Sequence, residues 1–204
     1  MVGPNWPNEG EIDIIEGVNL NTYDQVTLHT SSGCVPTIGS GGQTGTPTGN
    51  ADCGAGGGYT GCGVVSGSTT SYGTAFDANG GGVYATLWTS SAIEVWYFPA
   101  NGIPSDIKSG TPNPAGWGTP IANYAGCDFD AHFQDMNIVS FCPSMHQKEM
   151  RIEANTNHDR FLTLHSVVTG QARFGAHLHV HQSIQAATHM LPKSHSRLEM
   201  RIGW

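Results

Sequence analysis

Three carboxylates fall within six residues in the stretch Gly10-Glu11-Ile12-Asp13-Ile14-Ile15-Glu16-Gly17. The branched residues between them favour a strand. In a strand, Glu11 and Asp13 share one face and Ile12 and Ile14 the other. Strict alternation would put Ile15 with the acids and turn Glu16 away. One extra residue, a β-bulge, resets the phase and returns Glu16 to the face of Glu11 and Asp13. Like charges on one face repel and raise one another's pKa values, which a purely structural strand has no use for. Cleavage of a glycosidic bond does use it: one carboxylate must be ionised to attack the sugar, and another must hold a proton for the leaving oxygen. A third acid between them can share a proton or hydrogen bond that keeps the two roles apart. The competing reading is an acidic edge strand with a solvated face, because short acidic motifs arise by chance.

The acids need a scaffold. A chain of 204 residues suits one domain with a sizeable core. With 28 glycines and only 12% charged residues, it suits short strands joined by turns and not helices. Residues 25–30 alternate, with Val26 and Leu28 on one face and Thr27 and His29 on the other. His29 is there either a surface histidine or a donor to sugar hydroxyls. Residues 83–89 and 92–98 form a hairpin around Ser90-Ser91, with Tyr84, Thr86 and Trp88 on one face. Trp88 and Trp96 either stack on pyranose rings or fill the core. Residues 99–126 read as a long Pro/Gly loop carrying Trp117. Residues 127–133 read as a strand, and residues 136–139 begin another.

The formal net charge of −8 argues against nucleic acid as a partner, and no apolar run is long enough to span a membrane. The start lacks the basic region and apolar core of a signal peptide. Five cysteines (Cys34, Cys53, Cys62, Cys127 and Cys142) contain no Cys-x-x-Cys pair and fit disulfides and a secreted origin. Cys53 and Cys62 close a short loop, so a disulfide is preferred there to a metal. The full connectivity stays open, and one cysteine is left over. Up to Ser140 there is one Lys or Arg against 12 Asp or Glu; beyond it there are seven against four, so formal charges of −11 and +3 sum to −8. Eight of the ten histidines and only three of the 28 glycines follow that point. This shift marks a boundary, with residues 1–139 as one domain and residues 140–204 as a basic, His-rich tail expected to be poorly ordered or loosely packed. His177, His179 and His181 alternate, but no carboxylate or cysteine lies close, so no metal site is expected.

Residues 1–139 resemble the fungal branch of glycoside hydrolase family 16, the endo-1,3(4)-β-glucanases or laminarinases. The resemblance is carried by residues 6–8 (Trp-Pro-Asn), the acidic stretch through Asn19, residues 26–30, Gly80-Gly81-Gly82-Val83-Tyr84-Ala85, Trp88-Thr89, residues 103–107, Trp117-Gly118-Thr119-Pro120 and residues 127–133. It implies an all-β, concanavalin-like jelly-roll sandwich with a sugar cleft on its concave face, here incomplete. It implies retaining double displacement on β-1,3 or mixed β-1,3/1,4 glucans, with Glu11 as nucleophile, Glu16 as acid/base and Asp13 as the helper between them. Trp6, His29, Tyr84, Trp88, Trp117 and His132 fall at positions similar to cleft residues. The two-residue gap before Glu16 matches the bulged laminarinase motif; a one-residue gap is usual in lichenases and in fungal cell-wall transglycosylases. No cofactor is implied. Relatives carry a calcium site, for which no ligand set can be named here. The parent protein is expected to be a secreted monomer.

Three departures stand out. Glu9 replaces a usual glycine, strands before Trp6 are lacking, and residues after Val139 lose the family pattern. Val139-Ser140 can be encoded as GTGAGT, a common intron start. The expectation is therefore that residues 140–204 are read-through sequence and Met1 an internal methionine of a longer protein. Sheet edges would then be exposed, and the short chain would be weakly stable and little active. The alternatives are a glucan-binding or wall-associated protein without turnover, and a transglycosylase of the same family.

Overall fold

The computed structural model describes residues 1–139 and three later strand segments. The strands are β1 (Glu11–Glu16), β2 (Gln25–His29), β3 (Thr37–Ile38), β4 (Thr46–Pro47), β5 (Cys62–Val65), β6 (Gly82–Trp88), β7 (Ala92–Pro99), β8 (Ala122–Ala125), β9 (Lys148–Ala154), β10 (Arg160–Ser166) and β11 (Leu198–Glu199). They form two sheets, ordered β1-β2-β5-β4 and β11-β9-β10-β6-β7-β8-β3, with every pairing antiparallel. The all-β expectation holds. Among the described residues three short α-helices accompany the strands: α1 (Gly73–Ala78), α2 (Ser105–Ser109) and α3 (Phe129–His132).

Period-two patterning builds the core between the sheets. Ile12, Ile14, Val26, Leu28 and Val64 from the small sheet meet Tyr84, Trp88, Ile93, Val95 and Tyr124 from the large one. Each such aliphatic side chain contributes about 1.5–3 kcal/mol by leaving water. The opposite face of β6 and β7 is also apolar. Val83, Ala85 and Trp96 there lie under Ile107 and Trp117, from the segment that follows β7. That segment carries α2, ended by Gly110 at φ 73°, and then β8, so only part of residues 99–126 is loop.

Two further expectations change. Residues 127–133 turn into α3 because the Asp128 carboxylate accepts a hydrogen bond from the Ala131 N–H at 3.1 Å and caps a helical turn. Three segments beyond residue 140, in the tail expected to be poorly ordered or loosely packed, form strands: β10 pairs with β6 along all seven residues and with β9 on its other side, and β11 pairs with β9. The edge of β6 is therefore covered. Met150, Ile152 and Ala154 alternate with Glu149, Arg151 and Glu153, a strand signal that the change in composition obscures. His177, His179 and His181 lie outside the described residues. Disulfides join Cys34 to Cys127 and Cys53 to Cys62.

Candidate active site

The acids sit on the side of the small sheet that faces away from the core. Glu11 pairs with His29, Asp13 with Thr27 and Glu16 with Gln25, so three steps along β1 oppose two along β2. This is the expected bulge, and it falls at Ile14-Ile15. Ile12 and Ile14 are buried inward, while all three acids remain half-buried. The chain reaches β1 through Gly10 at φ 74°, packed against the Phe133 ring and the His132 carbonyl.

A residue that the sequence did not single out ties down the bulge. Asp24 is 0% exposed, and its Oδ1 accepts the Glu16 N–H at 2.8 Å. Its own N–H donates to Ser71 Oγ at 2.9 Å. Among the described residues no hydrogen-bond partner reaches its Oδ2. Burial holds the Asp24 carboxyl well above the usual carboxylate range, against the favourable hydrogen bond from Glu16.

Each acid on the face has its own partner. The Trp6 indole N–H donates to Glu11 Oε2 at 2.9 Å. The Thr27 hydroxyl donates to Glu16 Oε2 at 2.7 Å, with Gln25 Nε2 3.4 Å from the same oxygen. His29 Nε2 lies 3.2 Å from Asp13 Oδ2, and its Nδ1–H donates to the Gly58 carbonyl at 2.6 Å. Burial raises the Glu11 pKa, and the charge of Asp13 adds to the rise; the Trp6 hydrogen bond and His29 act the other way without cancelling it. Burial opposes charge on the His29 ring. The bonds to Asp13 and Gly58, with the charges of Asp13 and Glu11, outweigh it and hold the ring above its ordinary value. Three carboxylates on one strand thus sit in three different environments, which is what a division of acid and nucleophile roles needs.

The remaining candidates divide. Trp6 and His29 belong to the acid face by the contacts above. His132, at the end of α3, has its Nδ1 3.5 Å from Ser31 Oγ, next to the entry into β1. Tyr84 and Trp88, 1% and 6% exposed, lie in the core between the sheets, so they do not line the acid face. The Tyr84 hydroxyl donates to the Ser71 carbonyl, behind Asp24. Trp117, 8% exposed, packs with Trp96 in the cluster on the far face of the large sheet and donates to Asp106 Oδ2 at 2.7 Å. The pleat of β6 turns Tyr84 and Trp88 into the core, and Trp117 folds back over the outer face of the large sheet, so none of the three lies on the acid face. The Glu9 carboxylate accepts the Asn5 N–H at 2.7 Å and closes the turn before β1. Tyr59 was also missed. It is 80% exposed, and its ring meets the Trp6 ring at 4.8 Å between centroids.

A sequence profile described as the XgeA-like catalytic domain of glycoside hydrolase family 16 matches residues 1–176. A probable endo-1,3(4)-beta-glucanase of Aspergillus fumigatus is 46% identical over 145 residues, 69% of this chain and 22% of the relative. The endo-1,3(4)-beta-glucanase xgeA of Emericella nidulans is 42% identical over 146 residues, 69% of this chain and 23% of the relative. Laminarinase 16A of Phanerochaete chrysosporium, solved with 6-O-glucosyl-laminaritriose in donor and acceptor sites, aligns with a TM-score of 0.58 at 37% identity, over 81% of this chain and 49% of that one. An elongating family 16 β-1,3-glucosyltransferase aligns with a TM-score of 0.59 at 35% identity, over 83% of this chain and 48% of that one. The chain belongs to glycoside hydrolase family 16, in its XgeA-like group. It spans about half the length of the solved relatives and less than a quarter of these two curated ones.

Proposed function

We propose that this chain carries the catalytic centre of a retaining endo-glucanase acting on β-1,3 or mixed β-1,3/1,4 glucan. The observation that carries the reading is the bulge at Ile14-Ile15, which returns Glu16 to the face of Glu11 and Asp13. Glu11 attacks the anomeric carbon while Glu16 gives its proton to the departing glycosidic oxygen. The product is a glucosyl ester on Glu11 and a shortened chain. Glu16, now ionised, takes a proton from water; the resulting nucleophile attacks the anomeric carbon and frees Glu11. Trp6 and His29 favour the ionised, attacking form of Glu11. Asp13, paired to His29, lies between the two roles and keeps them apart. The glucan is the one partner this reading needs, and the two disulfides fit an oxidising compartment, so we place the parent protein outside the cell as a monomer.

Transglycosylation is the second reading, favoured by the likeness to the elongating glucosyltransferase. Its route to the glucosyl ester is the same, and a sugar hydroxyl replaces water as acceptor. Laminarin digestion followed by proton NMR separates these outcomes. New reducing ends that first appear as the β-anomer support retaining hydrolysis. Products longer than the substrate support transfer. First-formed α-anomer contradicts both.

A further inference from the structure

The loop closed by the Cys53–Cys62 disulfide touches the acid face twice. The Gly58 carbonyl accepts from His29, the partner of Asp13, and Tyr59 meets Trp6, the partner of Glu11. Scattered exposed apolar residues are ordinary on a surface, but Tyr59 is held in place. Gly58, at φ 93°, is pressed so close to Pro7 and Thr30 that a side chain there would meet Pro7 Cβ at 2.7 Å. Gly56, Gly57 and Gly61 also take positive φ, so the loop turns tightly on both sides of the tyrosine. Asn50 Nδ2 binds the Gly61 carbonyl at 2.5 Å, and the Thr30 N–H binds the Cys53 carbonyl at 3.0 Å. A ring that is 80% exposed on so constrained a loop has paid its ordering cost before any ligand arrives.

We propose that Tyr59 is a substrate-binding residue, a stacking platform for a glucosyl unit that flanks the one bonded to Glu11. This rests on the functional reading above. The ring stands one aromatic contact from Trp6 and so one further hydrogen bond from the nucleophile. Glucose in β-linkage offers an apolar C–H face, and a neutral polyhydroxylated ligand suits a site crowded with carboxylates. The occupant is thus a β-glucan unit and not an anionic sugar, which Glu11 and Asp13 would repel.

The test is titration of the full chain with thio-linked laminaritetraose, whose sulfur bridges resist cleavage, followed by calorimetry and by the Trp6 indole NMR signal. Tyr59→Ala should weaken binding about three- to tenfold with the melting midpoint unchanged, and Tyr59→Phe should bind within about twofold of the wild type. An alanine variant that binds like the wild type, with the Trp6 signal still moving, overturns the platform and leaves the functional reading intact. A phenylalanine variant as weak as alanine also overturns it, because the hydroxyl and not the ring face would then be the contact. A wild-type chain that does not bind the probe overturns both.

Discussion

Asp24 sits at the point where chemistry and stability meet. Its Oδ1 fixes the Glu16 N–H at the bulge, its Oδ2 has no hydrogen-bond partner among the described residues, and burial holds its pKa well above 3.8. A carboxyl raised in the folded state binds its proton more tightly there than in the unfolded chain. Its favourable contribution is therefore present below the unfolded pKa and is lost as pH rises through the folded one. One proton of difference gives a slope of at most about 1.4 kcal/mol per pH unit. Asp24→Asn keeps an oxygen for the Glu16 N–H and removes the ionisation. Its new amide shifts stability by an offset that does not vary with pH. Urea unfolding of both proteins, disulfides intact, across a pH series from about 4 upward isolates the effect. Glu11 and His29, both raised, contribute to both curves and cancel in the difference. The asparagine variant should gain on the wild type as pH rises, at up to about 1.4 kcal/mol per unit, and the gain should then level off. Parallel curves, or a gap that closes with rising pH, would refute the reasoning.

Two further outcomes follow from the same geometry. Gly10→Ala places a Cβ 2.5 Å from Phe133 Cδ1 at a φ of 74°, so it should cost about 2–4 kcal/mol, read as a lower urea midpoint; a midpoint equal to the wild type's would contradict the packing of β1 against α3. Trp6→Phe keeps a ring beside Tyr59 but removes the donor that favours ionised Glu11, so the acid limb of kcat/KM on laminarin should move to higher pH; an unmoved or lowered limb would contradict the assignment of Glu11 as the ionised nucleophile.

The acidic strand was legible because its signal is local. Ile12 and Ile14 fix the inward face, and Ile15 breaks the alternation where the bulge falls. Alternation along β6 groups Tyr84, Thr86 and Trp88 on one face, and that face points into the core instead of a groove. Both faces of that strand are apolar because residues beyond β7 cover the outer one, so alternation alone cannot separate core from cleft. Asp24 was invisible for another reason: the Ser71 hydroxyl that holds it lies 47 residues away, and burial of a lone acid leaves no mark in sequence. Tyr59 sits among glycines, where composition suggests only a turn. Asp128 three residues before Ala131 was a readable cap, but Phe129 and Phe133 drew the segment towards a strand.

The central claim is that Glu11 forms the covalent bond to sugar and Glu16 handles the proton. A laminaribiosyl fluoride bearing fluorine at C2 slows breakdown of that intermediate and lets it accumulate. Mass spectrometry of the treated chain, followed by peptide mapping, reads the site directly. The account predicts one added 2-deoxy-2-fluoro-laminaribiosyl group, on Glu11. A label on Glu16 or Asp13, or turnover of laminarin with no label at all, would contradict it.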